Sequence, residues 1–243
     1  MNSSLGLAAE LTDAVARLGA PETVPAKARF FQALPGGYAA GDKFLGVRVP
    51  QLRGLARRYR SQVTVDDAEE LLLSEWHEVR LLGAILLVEM FSRADALAQR
   101  RIATLMLKRI ERLNNWDLID SSIPYTLGPW LYRNPAERHV LIELADDDLL
   151  WRRRAAVMAT FAFIRAGEFG ETLDLAAKLL GDPHDLIHKA VGWMLREVGA
   201  RDRQVLDTFL DEHAPSMPRT MLRYAIEKHS PAERHEILMR KRK

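Results

Sequence analysis

Two tryptophans, one aspartate and one arginine have side chains and spacings that could serve chemistry together. Trp116 and Asp120 are four residues apart, so in a helix they lie on one face. Arg154 follows Trp116 by 38 residues, and Trp193 follows Arg154 by 39. Indole faces attract cations, a fixed carboxylate stabilises developing positive charge, and a guanidinium binds phosphate. If the chain repeats at this spacing, the four residues form one cluster on one face.

Each of the four residues taken alone has a simpler interpretation. A single tryptophan in a helix usually packs in the core, and an aspartate near an arginine usually forms a surface pair of little consequence. The functional interpretation therefore depends on the spacing that all four residues share.

A weak internal repeat would position this cluster. Three segments share an acid, a basic residue four or five positions later, and a small apolar helix. Their acids are Glu75, Asp148 and Asp185, and their basic residues are Arg80, Arg153 and Lys189. The acids are 73 and 37 residues apart, which indicates a period of about 37 with one degenerate copy between the first two. Helix pairs at this period are typical of HEAT-like or armadillo-like arrays.

Helical periodicity dominates the whole chain. Residues Val79–Phe91 are almost wholly apolar, which is typical of a helix buried on several sides, and Val47–Val49 is the only short strand candidate. Asp95 is predicted to begin a helix, while Gly167 and Gly170 are predicted to end helices. The sequence predicts an all-α chain of about fourteen helices. The fold class follows as a right-handed α-solenoid of HEAT-like repeats with one concave face.

The chain is expected to form a single HEAT-like repeat domain over residues 1–243. Residues 1–50 would hold N-terminal helices and a loop, residues 51–230 the repeats, and residues 231–243 a basic C-terminal tail. The longest irregular stretch runs from Leu34 to Pro50 and contains Pro35-Gly36-Gly37 and Gly41.

Composition excludes several classes of protein. Hydrophobic residues make up 48% and charged residues 28%, so the chain is globular rather than disordered. The absence of cysteine excludes disulfides, thiolate zinc sites, iron–sulfur clusters and a cysteine nucleophile. The net charge of +2 argues only weakly against a nucleic-acid partner, because the distribution of charge over the surface matters more than its sum.

The sequence gives no reason to expect a metal, a cofactor or a membrane. His77, Glu78 and His184 have no further ligands at usable spacing, so we expect capping or loop roles for them and no metal site. The longest strongly apolar run, Leu81 to Val88, is far too short to cross a bilayer. The N-terminus lacks the features of a signal peptide, so we expect a cytoplasmic protein.

Three blocks of sequence make the chain similar to a known family. NWDLIDS at Asn115–Ser121, LWRRRAA at Leu150–Ala156 and HKAVGWMLRE at His188–Glu197 resemble the AlkD family of HEAT-like-repeat DNA glycosylases, which excise alkylated purines. FLGVRVP at Phe44–Pro50 is similar to the loop that leads into the first repeat of that family. The resemblance runs from about Phe30 to Glu227 and so covers most of the chain.

The resemblance implies a role for each residue of the cluster. The catalytic aspartate of the family falls on Asp120, its two lesion-side tryptophans fall on Trp116 and Trp193, and its active-site arginine falls on Arg154. Arg48 holds a position from which family members contact DNA.

Further phosphate contacts are expected at Lys189, Arg196 and Arg219, because these residues lie on or beside the repeat that presents Trp193. The basic tail at residues 240–243 would add weak attraction for a duplex.

The implied activity is that of a monofunctional alkylpurine DNA glycosylase, a hydrolase of DNA alkylation repair and base excision repair. It would cleave the N-glycosidic bond of cationic N3- or N7-alkylated purines in double-stranded DNA, without a base-flipping pocket, and leave an abasic site. No cofactor and no metal are expected, and the protein would act as a monomer. The alternative is a catalytically silent HEAT-like solenoid that binds DNA or a protein partner.

Overall fold

The computed structural model describes residues 6–239 and is all-α. It contains sixteen α-helices, five short 3-10 helices and, over the described residues, no β-strand. The only β-type contact in these residues is an isolated bridge between Lys43 and Trp76. Residues 1–5 and residues 240–243 of the predicted basic tail lie outside the described residues. The predicted all-α fold class is confirmed, and Val47–Val49 forms no strand.

The helices belong to two compact units that divide between Thr126 and Leu127. The helices of the first unit are α1 Leu7–Arg17, α2 Val24–Phe30, α3 Val49–Tyr59, α4 Val65–Leu72, α5 His77–Phe91, α6 Ala96–Lys108 and α7 Trp116–Ser122. The helices of the second unit are α8 Leu127–Arg133, α9 Val140–Ala145, α10 Leu150–Ala159, α11 Phe161–Ala166, α12 Gly170–Lys178, α13 Asp185–Gly199, α14 Arg203–His213, α15 Arg219–Ala225 and α16 Pro231–Met239.

The first unit is built around α5. This helix packs against α3, α4 and α7, and most of its residues are buried, as its apolar sequence predicts. The preceding helix α4 starts at a capping box, in which the Thr64 hydroxyl accepts from the backbone N–H of Asp67 and the Asp67 carboxylate accepts from that of Thr64. Helix α5 thus forms the central support for its neighbours, including α7.

The second unit is built around α13, which packs against α10, α14 and α15. The helices α13 and α15 approach so closely that a Cβ atom added at Gly192 would lie 2.5 Å from the carbonyl oxygen of Met221. This glycine therefore permits the packing of the two helices.

The internal repeat has a counterpart in hydrogen bonding. At the fourth position of α5, Arg80 donates to the carbonyl of Ser74, six residues earlier, at 3.0 Å. Arg153 of α10 donates to the carbonyl of Asp147 at 3.0 Å. In α13 the equivalent residue is His188, which bonds to the carbonyl of Asp182 at 2.6 Å, rather than the expected Lys189. The basic residue of each copy thus closes the loop before its helix.

Two of the predicted helix boundaries are confirmed, one at a side-chain cap and one at a left-handed glycine. Asp95 caps α6 by accepting from the backbone N–H of Ala98, and Gly167 ends α11 with φ of 82°. The prediction for Gly170 is wrong, because this residue begins α12 instead of ending a helix. Over residues 6–239, no helix combines the length and apolar character needed to cross a membrane.

Candidate functional site

An open cavity of about 540 Å³ lies in the first unit between α3, α5 and the segment that starts with α7. Arg53 and Arg57 line it from α3, Glu89 from α5, and Trp116 and Asp120 from α7. The remaining lining residues are Ala56, Ile85, Val88, Asp117, Ser121 and Tyr125. The cavity therefore combines an aromatic face, carboxylates and guanidiniums at its wall.

Helix α7 places the first two predicted site residues. Trp116 is its first residue, and the side chain of the preceding Asn115 accepts from the Trp116 backbone N–H at 2.9 Å. Asp120 follows one turn later, so its side chain shares a face with Trp116, as the spacing predicts. Both residues are partly exposed, which is where groups that contact a ligand must lie.

The ring of Trp116 packs against two phenylalanines at the end of α2. Its centroid lies 5.5 Å from the ring of Phe31 and 5.8 Å from the ring of Phe30. Phe31 is partly buried, whereas Phe30 is 66% exposed. Trp116 is thus held from one side and open to the cavity on the other.

The other two residues of the predicted cluster belong to the second unit. Trp193 on α13 is partly exposed, and its indole N–H donates to Glu197 at 3.2 Å. Trp130 and Trp151 in the same unit are buried in its core, so Trp193 is not a packing tryptophan of that kind. Arg154 is buried, and its guanidinium donates to the carbonyl of Leu186 at 2.5 Å. The roles assigned to Trp193 and Arg154 stay predictions.

The predicted phosphate contacts are in different situations. Arg48 is exposed just before α3. Lys189 forms an ion pair with Asp185 at 2.8 Å, Arg196 forms one with Glu227, and Arg219 donates to the carbonyl of Leu238 at 2.6 Å. A phosphate would have to compete with these intrachain partners for the last three residues.

Next to Trp116 lies a buried ionic network that is not evident from the sequence. The His77 ring joins Asp42 at 2.8 Å through Nδ1 and Asp117 at 2.9 Å through Nε2. Arg80 donates to the second oxygen of Asp42 at 2.6 Å. The side chains of Asp42, His77 and Arg80 are all at least 97% buried. Because Asp117 is adjacent to Trp116, the network reaches the cavity.

The network stabilises its own charges. Burial lowers the pKa of His77, but the hydrogen bonds to Asp117 and Asp42 outweigh it and raise that pKa to about 9. Burial likewise raises the pKa of Asp42, and the bonds from His77 and Arg80 reverse the effect, so its pKa lies below the ordinary value. At neutral pH His77 is therefore an imidazolium between two carboxylates.

The expected roles of the other polar candidates have mixed outcomes. Among the described residues, no group of three or more histidine or acidic side chains could hold a metal ion. His184 caps α13 by accepting from the backbone N–H of Leu186, as expected. His77 and Glu78 are not capping groups, because both are buried and bonded to the loop before α3. Of the two roles expected for these residues, the structure therefore shows contacts with a loop and not helix capping.

The sequence reasoning also missed Arg53 and Arg57 at the cavity wall. They stand four residues apart on α3, and both are exposed. Within residues 6–239 the structure shows no ion pair at either guanidinium. Their i, i+4 spacing was the available signal, but only the packing of α3 beside α7 shows that it matters.

The fold and the site together define the chain as an all-α protein of packed helices, consistent with an α-solenoid, whose tryptophan and aspartate line an open cavity. The sequence profile of the DNA alkylation repair enzymes matches residues 11–229, and the chain belongs to this family. A solved structure described as a predicted DNA alkylation repair enzyme from Enterococcus faecalis has the same fold. The two share 14% sequence identity with a TM-score of 0.68, over 88% of this chain and 97% of the other. No curated protein matches the sequence at a significant level.

Proposed function

We propose that the protein is a monofunctional DNA glycosylase that removes N3- or N7-alkylated purines from duplex DNA. The observation that carries this proposal is the placement of Trp116 and Asp120, one turn apart on α7, at the wall of the same cavity. Membership of the DNA alkylation repair enzyme family makes damaged DNA the natural occupant.

The residues at this wall suit the proposed reaction. A purine alkylated at N3 or N7 carries a positive charge, and cleavage of its glycosidic bond builds positive charge on the sugar. The Trp116 indole would attract these cationic surfaces by about 0.5–2 kcal/mol. The Asp120 carboxylate would stabilise the charge that develops in the transition state, which is commonly the largest catalytic effect.

The reaction balances without a cofactor. The bond between C1′ and the purine nitrogen breaks, and its electron pair neutralises the cationic base. Water attacks C1′ and gives up its proton to Asp120 or to solvent. The products are the free alkylated base and an abasic site. An open cavity fits this chemistry, because the leaving base needs no acid to protonate it.

Arg53 and Arg57 offer a way to hold the DNA backbone at this cavity. Their guanidiniums are exposed on the wall that faces Trp116 and Asp120, so a phosphate could bind there without breaking an ion pair. We propose that they hold phosphates of the strand that carries the lesion, together with Arg48 at the start of the same helix.

Replacing Arg57 by alanine is expected to weaken binding to an undamaged duplex and to lower the salt slope of the affinity. Each lost phosphate contact should reduce that slope by about 0.9. Fluorescence anisotropy over a series of salt concentrations measures it. Arg58→Ala is the matched control, because Arg58 is also exposed but does not line the cavity. A slope for Arg57→Ala equal to that of the parent protein would exclude Arg57 from the DNA contact.

The proposed function is tested by release of the base. A duplex with a single N7-methylguanine is incubated with the protein, and free base is quantified by liquid chromatography and mass spectrometry. Release well above the spontaneous rate is expected. Duplex binding without any release would instead support the alternative, a silent solenoid that binds DNA. Absence of both binding and release would refute both.

A further inference from the structure

The His77 ring is the point where three segments of the first unit meet. It belongs to α5, its Nδ1 bonds to Asp42 in the loop before α3, and its Nε2 bonds to Asp117 in α7. Both partners are carboxylates, which only accept hydrogen bonds. A neutral imidazole could donate to one of them, whereas the imidazolium donates to both. With both carboxyl groups ionised, only the protonated ring can form both hydrogen bonds.

Helix α7 needs support of this kind. It has only seven residues, and helices this short are not stable without tertiary contacts. Within the described residues, Asn115 Nδ2 and Asp117 Oδ1 at its start are buried without hydrogen-bond partners. The bond from His77 to the other oxygen of Asp117 thus anchors a turn whose polar groups are otherwise poorly satisfied.

The same ring supports Trp116 through an aromatic stack. The centroid of the His77 ring lies 4.7 Å from that of Phe44 and 5.0 Å from that of Phe31. The Phe31 ring in turn packs against Trp116. One imidazolium thus holds both the helix turn that carries Trp116 and the ring on which the indole rests.

We propose that His77 is a positioning residue, whose buried imidazolium fixes the orientation of Trp116 and of the first turn of α7 at the cavity. Its effect on base release rests on the proposed function, whereas its effect on the environment of Trp116 does not.

The charges that face His77 define how the contact depends on pH. Asp42 approaches from the loop and Asp117 from α7, while Arg80 on α5 neutralises the second oxygen of Asp42. Arg112 also interacts electrostatically with Arg80 and Asp42. The raised pKa of His77, about 9, means that its charge persists at neutral pH and is lost as the pH rises through that value. Above it, one of the two hydrogen bonds must break.

The test measures the fluorescence of Trp116. The emission of the Trp116→Phe variant is subtracted from that of the parent protein, from about pH 6 to about pH 10.5. We expect a transition near pH 9 that disappears in a His77→Gln background, where the spectrum resembles that of the parent at high pH. The Trp193→Phe difference is the control and should lack the transition. A transition that persists in His77→Gln, or its absence from the parent, overturns the proposal.

A second variant keeps the test decisive if His77→Gln does not fold. Asp117→Asn removes one of the two carboxylates that stabilise the charge, so the midpoint of the transition should move to lower pH. An unchanged midpoint would contradict the proposal. Far-UV circular dichroism establishes that each variant is folded.

Base release at neutral pH then separates this proposal from the proposed function. For His77→Gln we expect kcat to fall by about 10- to 100-fold, because a misplaced indole and carboxylate stabilise the transition state poorly. KM for the duplex should change little, since Arg53 and Arg57 are untouched. A parent protein that releases no base refutes the glycosylase and leaves the fluorescence result standing. A normal kcat in a variant with an altered Trp116 spectrum overturns the positioning role.

Discussion

Replacement of Asp120 by asparagine is expected to lower the rate of base release by about 100- to 1,000-fold. The substitution keeps the size of the side chain and removes its negative charge. Under the proposed function that charge stabilises the cationic sugar, and its loss acts on the transition state alone. Single-turnover release of N7-methylguanine measures the effect directly, because it excludes product dissociation from the rate.

The affinity for DNA distinguishes a catalytic role of Asp120 from a structural one. Removing a carboxylate beside the phosphates should leave duplex binding unchanged or slightly tighter. Glu89→Gln is the matched control, because Glu89 lines the same cavity but pairs with Arg93 at the surface, and its release rate should stay close to that of the parent. Equal losses of binding and release in Asp120→Asn would show that Asp120 maintains the fold of α7. Equal losses of release in both variants would assign the effect to the general charge of the cavity.

Local spacing is enough to bring together the two residues of the candidate site that lie on one helix. Trp116 and Asp120 are one turn apart in the sequence, and a helix places such residues on one face whatever surrounds it. The Lys-Ala-Val-Gly-Trp block at Lys189–Trp193, which contributes to the family resemblance, has a second explanation in helix packing. Its Gly192 permits the contact between α13 and α15, so part of this block reflects packing rather than chemistry.

The buried network beneath the cavity could not be predicted from the sequence. Asp42 lies in a long irregular stretch, 35 residues before His77, and Asp117 lies 40 residues after it. No periodicity connects a loop to two helices, and a lone histidine carries no sign of its partners. Arg53 and Arg57 were missed for the same reason. The sequence shows that they share a face of α3, but it does not show which helices lie beside that face. Contacts between elements depend on packing, which a single sequence does not encode in its spacing.

Glu78 shows how strongly the fold depends on one such contact. Its carboxylate is 99% buried and accepts from the backbone N–H groups of Leu45 and Gly46, each at 2.9 Å, and from Lys27 at 3.1 Å. Gly46 has φ of 86°, a left-handed conformation that turns its N–H toward Glu78 and that other residues rarely adopt. One side chain of α5 therefore joins α2 and the loop that carries Asp42.

Glu78→Ala is consequently expected to lower the free energy of unfolding by about 2–4 kcal/mol, because it removes the acceptor of two backbone N–H groups and leaves the partly exposed Lys27 with only the carbonyl of Val47. Denaturation by urea measures this loss. Glu75→Ala is the control, since Glu75 is 59% exposed and pairs with the exposed Lys43, and it should cost less than about 1 kcal/mol. A loss of similar size in both variants would mean that the loop is held by its apolar contacts instead.

The same substitution should also affect the surroundings of Trp116. If the Glu78 carboxylate anchors the loop, Glu78→Ala should loosen the contact between Asp42 and His77. The Trp116 fluorescence spectrum of this variant at neutral pH should then approach that of the parent protein above pH 9.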